Sequence, residues 1–143
     1  MKSRVKEIAE SVREKCRLYA LKDGNYCPDL TGLCAIASYI LKSSLRKEKI
    51  KSRVICGVFD ESSNFEFWEN EEEDNHCWLE VDNEIVDITA SQFGLEDIHI
   101  TVAKDSRYKK NLEIKRIKLL KDRGWPDYQL PRKDIVKKIL TTD

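Results

Sequence analysis

The first part of the chain has apolar residues at the three- and four-residue steps that are typical of an amphipathic helix. Between positions 3 and 20 these residues are Val5, Ile8, Ala9, Val12, Cys16 and Tyr19. The spacing predicts a helix that covers a core and ends near Gly24. After a turn-rich segment, CAIASYILKSSLRKEK predicts a second helix that begins at Cys34, with Thr31 as its cap.

The middle of the chain contains short β-branched runs, which indicate strands. Residues 53–59, RVICGVF, predict a buried strand, and the acidic residues 60–74 predict a long surface loop. HCWLEV and EIVDIT are two alternating runs on either side of Asp82 and Asn83, which is a hairpin signal. IHITVA at 98–103 predicts a further strand.

The last third of the chain is less regular. EIKRIKLL at 113–120 fits either a strand or a helix, and the strand is favoured. PRKDIVKKIL predicts a short closing helix with Pro131 near its start. The order of helices followed mainly by strands predicts an α+β fold, and the length of 143 residues predicts one domain over residues 1–143.

Charge and hydropathy narrow the classes of partner. No apolar run is long enough to span a bilayer, and the first residues lack the apolar core of a signal peptide, so we expect a cytoplasmic protein without membrane contact. Every Lys and Arg lies before position 54 or after position 103, although the formal net charge is zero. Without a basic patch that interleaves aromatic residues, no nucleic-acid partner is predicted.

Five cysteines are an odd number for a chain with no export signal, so reduced thiols are expected rather than a disulfide framework. A zinc site is the alternative. The nearest spacing is Cys27 and Cys34 with six residues between them, followed much later by His76 and Cys77. Because no C-x2-C pair is present, neither a metal nor another cofactor is predicted.

Cys34 has the sequence context of an activated thiol. It follows Thr31-Gly32-Leu33 and begins a helical run, so the positive end of the helix would stabilise a thiolate there. Backbone N–H groups at the same helix start would meet a developing oxyanion. The alternative is that Cys34 is a small buried apolar residue between Leu33 and Ala35.

The predicted hairpin brings a base and an acid together. If Asp82 and Asn83 form a two-residue turn, Val81 faces Glu84, and His76 and Asp87 become diagonal neighbours on one face, with Cβ atoms about 7 Å apart. A carboxylate there would hold the imidazole. His99 has no acidic partner at hairpin distance, so we expect it to face solvent or make a polar contact.

Four sequence runs together resemble a known family. GLCAIASYIL, CGVF, NHCWLEV and EIVDITASQF, spread over residues 29 to 93, look like the core of the transglutaminase-like group within the papain-like cysteine enzymes. The resemblance implies a nucleophile helix packed on an antiparallel sheet. It also implies a thioester at Cys34, with His76 as base and then acid, and with Asp87 fixing the tautomer.

Other residues are candidates for substrate contact. The usual glutamine upstream of the nucleophile is absent, so Asn25, Tyr26, Thr31 or the backbone alone would serve the oxyanion. Trp78 either forms a wall of the site or packs beside the hairpin. Gln92 either contacts the substrate or caps a turn. The calcium site of some animal transglutaminases is not carried over, because the acidic loop lacks a spaced ligand loop with glycine.

The predicted reaction is acyl transfer on a peptide or protein amide, which makes the chain a protease, a deamidase or a transamidase. Two alternatives stay open. An arylamine N-acetyltransferase would use Cys, His and Asp in the same order with coenzyme A as acyl donor. A catalytically inactive domain of the same fold would bind a protein partner instead.

Overall fold

The computed structural model describes residues 2–23, 26, 30–62 and 73–142, and within them the chain is an α+β protein. The helices are α1 Lys2–Asp23, α2 Cys34–Lys47, α3 Ile117–Asp122 and α4 Lys133–Leu140. The strands are β1 Arg53–Phe59, β2 His76–Val81, β3 Glu84–Asp87, β4 His99–Val102 and β5 Tyr108–Glu113. Short 3-10 turns occupy Ala90–Phe93 and Asp127–Gln129.

The strands form one antiparallel sheet in the order β4-β3-β2-β1-β5. The helix α2 packs on β1 and β2 at the centre of the sheet, and α1 packs against α2 and α4. Because β1 and β2 are central and covered, they are buried almost throughout. The start of β2 and the start of α2 therefore lie at the middle of the fold.

Most of the predicted elements are confirmed, namely both long helices, the buried strand, the hairpin, the strand near 98–103 and the closing helix. The strand predicted over 113–120 is wrong. The strand β5 lies upstream, and it ends near Ile114, whose N–H donates to the carbonyl of Val54. The apolar residues that follow, Ile117 and Leu120, have helical spacing and belong to α3. A lysine-rich strand such as β5 is typical of a sheet edge.

The two faces of the sheet have separate apolar clusters. The face under the helices contributes Val54, Leu79 and Val86 to the main core. The opposite face carries a smaller cluster made of Ile55, Phe59, Trp78, Ile85 and Tyr108. His76 and Asp87 share this second face with Trp78, because they alternate with the core residues along their strands.

The expectation of reduced thiols is wrong for two cysteines. Cys56 and Cys77 lie directly opposite each other on β1 and β2, with Cα atoms 4.4 Å apart, and they form a disulfide. That separation is at the short end of the range that a disulfide bridges. Cys16 and Cys34 are free, and Cys27 lies outside the described residues. Disulfides are typical of oxidising compartments, and the cytoplasmic location stays a prediction.

Two sequence expectations fall partly outside the described residues. Most of the predicted acidic loop, residues 63–72, lies there, and so do Gly24, Asn25 and Pro28 from the turn-rich segment. None of the helices in the described ranges combines the length and the apolarity needed to cross a bilayer.

Candidate active site

The nucleophile candidate occupies the first residue of α2. The turn before it is tight, since Leu30 and Gly32 both have positive φ, at 70° and 89°. A leucine rarely adopts such a conformation, and the fully buried side chain of Leu30 holds it there. Leu33 rather than Thr31 is the N-cap, so the predicted cap position is wrong. The side chain of Leu33 makes no capping bond to the first N–H groups of α2.

The base and the acid come from the hairpin, in the predicted register. Val81 pairs with Glu84 and Leu79 with Val86, which is the register of a two-residue turn at Asp82 and Asn83. His76 and Asp87 then meet across β2 and β3. The Nε2 atom of His76 lies 2.6 Å from Oδ2 of Asp87, and both side chains are buried.

The carboxylate of Asp87 has a partner for each oxygen. Its Oδ2 also accepts from the hydroxyl of Tyr108 at 2.8 Å. Its Oδ1 accepts from the backbone N–H of Thr89 at 3.1 Å, which is an Asx-type turn within the Asp-x-Thr run. A buried carboxylate satisfied in this way is fixed in orientation, and it fixes the imidazole in turn.

His76 lies inside an aromatic surround. Phe93 packs edge-on against its ring at 4.8 Å, and the Trp78 ring lies 5.9 Å away. Burial by itself would lower the pKa of His76. The charge of Asp87 and its hydrogen bond outweigh burial, and Cys34 adds a smaller contribution, so the pKa of His76 is raised to about 10. For Asp87, burial opposes ionisation, but His76, Tyr108 and Thr89 together hold its pKa below the ordinary value. Both shifts favour the charged forms of the pair, an imidazolium and a carboxylate.

Cys34 completes the arrangement. Cys34 lies close enough to His76 to raise the pKa of its imidazole, and because Asp87 engages Nε2, we expect the sulfur on the Nδ1 side. The amide nitrogen of Gln92 lies 3.4 Å from the same Nδ1. Cys34 exposes only 4% of its surface and His76 none, so both reacting groups are buried.

The three predicted substrate-contact residues have different positions. Thr31 is exposed in the turn before α2. Trp78 is almost fully buried in the smaller apolar cluster beside His76. Gln92 donates to the carbonyl of Thr89 at 3.0 Å, so it has a structural bond as well as its position near Nδ1. Their contact with substrate stays a prediction.

The structure adds Tyr108, which sequence reasoning missed. It is the first residue of β5 and reaches Asp87 only because β5 pairs with β1, where Tyr108 lies opposite Phe59. Burial and the neighbouring Asp87 raise the pKa of Tyr108, so its hydroxyl stays a donor. The sequence offered no signal for it beyond a single aromatic residue at the start of an irregular, lysine-rich segment.

The other histidine, the other free thiol and Tyr26 have bonds or surroundings of their own outside this site. His99 makes the expected polar contact, because its Nδ1 lies 2.5 Å from Oε2 of Glu96. Burial raises the pKa of the second free thiol, Cys16, to about 12. Tyr26 donates its hydroxyl to the carbonyl of Tyr128. Among the described residues, no group of His, Cys, Asp and Glu is arranged to hold a metal ion.

No family model matches this chain, and neither a curated protein nor a solved structure matches it.

Proposed function

We propose that this chain is a cysteine-dependent acyl-transfer enzyme that acts on a peptide or protein amide, with a papain-like core of the transglutaminase type. The observation that carries the proposal is the chain of contacts from Asp87 through His76 to Cys34. Thiol, imidazole and carboxylate in that order are what nucleophilic acyl transfer requires. Their positions at a helix start and on adjacent strands support the papain-like assignment.

The proposed reaction begins with the Cys34 thiolate, which the imidazolium of His76 stabilises. The sulfur attacks the amide carbonyl, and the C–N bond breaks as Nδ1 of His76 gives its proton to the leaving amine. A thioester remains on Cys34. Neutral His76 then takes a proton from water or from an acceptor amine, which attacks the thioester and releases the free thiolate. Water gives hydrolysis or deamidation, and an amine gives transamidation.

Charge on the carbonyl oxygen needs donors during attack. The N–H groups in the first turn of α2 support this role, because they have no partner within the helix and Cys34 is the first residue of this 14-residue helix. Asp87 keeps Nε2–H as the donor to itself, so Nδ1 is the nitrogen that exchanges protons.

One observation favours a second candidate, a non-catalytic binding domain of the same fold. Both reacting groups are nearly closed off from solvent, with 4% exposure at Cys34 and none at His76. In such a domain the triad-like contacts would serve only to stabilise the interior.

The two candidates differ in the reactivity of the sulfur. We expect iodoacetamide to alkylate Cys34 selectively below pH 7, whereas Cys16 stays unmodified because its buried thiol has a pKa of about 12. Peptide mapping identifies the labelled cysteine, and His76→Ala is expected to abolish the selectivity. A panel of peptides, read by intact mass, should leave an acyl adduct on Cys34. If Cys34 is no faster than an ordinary thiol and forms no adduct, the enzymatic proposal fails.

A further inference from the structure

A cavity of about 530 Å³ reaches Asn75, the residue that precedes His76 in the chain. It lies between the residues just before β2 and the segment that follows α3. Asn75 is on one wall. Gln129, on the other wall, has its amide nitrogen 3.6 Å from where a Cβ of Gly32 would stand, two residues before Cys34. The cavity therefore borders both segments that position the reacting pair.

The wall of this cavity is held rigidly by Asp74, whose side chain is 1% exposed. Its carboxylate accepts from Arg123 at 2.6 Å and 3.0 Å, from Asn111 at 3.1 Å and from the indole N–H of Trp125 at 3.2 Å. These bonds fix the edge of the Trp125 ring. A ring fixed before binding offers an apolar surface that costs little conformational entropy to use.

The chemistry of the lining is suited to a polypeptide. Trp125 provides an aromatic wall, and the amide of Gln129 has one long hydrogen bond, 3.4 Å to the hydroxyl of Tyr128, among the described residues. Such an amide is a good partner for a backbone carbonyl. The charge of Asp74 is offset by Arg123, whereas Glu73 adds an exposed carboxylate at the rim. The lining thus disfavours an acidic ligand.

We infer that this cavity holds the stretch of a polypeptide substrate beside the reacting amide, and that it selects neutral or basic segments. A substrate side chain packs on Trp125, and a substrate backbone carbonyl accepts from Gln129. The inference rests on the proposed function, since it places substrate next to Cys34.

The test compares two kinds of electrophile on the same sulfur. Iodoacetamide is too small to need the cavity, so its rate reports only the reactivity of Cys34. Tripeptides that carry a chloroacetyl group at the amino end or a chloromethyl ketone at the carboxyl end place peptide on either side of the sulfur. The measured quantity is the ratio of the second-order rate for each tripeptide to that for iodoacetamide.

We expect Trp125→Ala and Gln129→Ala each to lower this ratio about tenfold for the best tripeptide. The iodoacetamide rate should stay within about twofold, since neither residue is part of the reacting chain of contacts. Trp125→Phe should retain most of the ratio, because it keeps a flat apolar wall although it loses the bond to Asp74. Tyr39→Ala, which removes an exposed aromatic residue of α2, is the matched control and should change nothing.

The charge of the tripeptide provides a second test. Tripeptides with acidic residues should react more slowly than neutral or basic ones, and Glu73→Gln should reduce that difference. Unchanged ratios in Trp125→Ala and Gln129→Ala would overturn the inference, and so would an equal fall in both kinds of rate, which would mark a loosened fold. If wild-type Cys34 reacts selectively with neither electrophile, the proposed function fails as well, so the two failures are distinguishable.

Discussion

Two histidine–carboxylate pairs lie on the same face of the sheet, and they differ mainly in burial. His76 and Asp87 expose almost nothing, whereas His99 exposes 10% and Glu96 69% of their side chains. Both contacts are short, at 2.6 Å and 2.5 Å. Distance therefore does not separate them. The exposed carboxylate of Glu96 is solvated and its charge is screened by water. The charge of Asp87 acts on His76 within the buried interior, where screening is weaker.

In the register of β3 and β4, Asp87 lies directly opposite His99. Asp87 nevertheless bonds His76, which is on the other neighbouring strand. His99 instead lies between Glu96 and Arg107, with Nε2 3.2 Å from the Arg107 guanidinium. The two imidazoles thus have separate networks, and only one of them includes a thiol.

The largest difference should appear when each histidine is removed. His76→Gln should slow formation of the acyl adduct on Cys34 by about 10²–10⁴-fold, because it deletes the proton-transfer group. His99→Gln should leave that rate within about twofold. The measurement is adduct formation followed by intact mass. Equal effects of the two substitutions would remove the distinction between the pairs.

The two carboxylates should differ in stability. Asp87→Asn leaves the buried His76 without its counter-charge and should lower the free energy of unfolding by about 3–5 kcal/mol. Glu96→Gln should not shift the urea midpoint measurably, since the Glu96 side chain is 69% exposed. Urea unfolding of both variants at pH 6 checks this. A destabilised Glu96→Gln with an unaffected Asp87→Asn would reverse the assignment.

The buried pair should also make stability depend on pH. The pKa of His76 is raised from 6.5 to about 10, so its contribution is complete below pH 6.5 and is lost as the pH rises toward 10. The pKa of Asp87 is lowered from 3.8, so its contribution is complete above that pH and is lost as the pH falls below it. The pair therefore stabilises the fold most in the window between these two ordinary values.

To measure this window, the free energy of unfolding is determined as a function of pH for two proteins. One carries Cys34→Ala, and the other carries Cys34→Ala together with His76→Gln and Asp87→Asn. The Cys34→Ala background removes the titration of the thiol from both proteins. We expect the difference to be largest near pH 5 and to shrink steadily between pH 7 and pH 10. A difference that is constant over that range would contradict the raised pKa of His76.

The smallest expected effect is that of Tyr108→Phe, which removes one of the bonds to Asp87. The variant should lose about 1–2 kcal/mol of stability, because Asp87 keeps His76 and Thr89 as partners. The pKa of Asp87 should rise, so the fall of the Cys34 alkylation rate at acidic pH (the acid limb of its pH–rate profile) should move to higher pH. Tyr39→Phe, on the exposed side of α2, serves as the control. An unchanged acid limb would leave Tyr108 a packing residue only.

The hairpin shows what could be predicted from sequence. Its register follows from a two-residue turn and from alternation along both strands, and a slip by one residue would expose the apolar face. These are local properties, so His76 and Asp87 were expected on one face and are found there. The helix beginning at Cys34 was also expected, although its cap was not. A buried leucine and a glycine at positive φ, rather than Thr31, shape that helix start.

Spacing within short stretches of the chain was enough to predict the α+β class, the two long helices, the hairpin and the candidate catalytic residues on them. The contacts of Cys56 with Cys77, of Tyr108 with Asp87 and of Asp74 with Trp125 arise only in the folded chain. These contacts depend on which strands and segments become neighbours. Pairing between distant segments is set by packing of the whole domain, for which no local spacing is a signal.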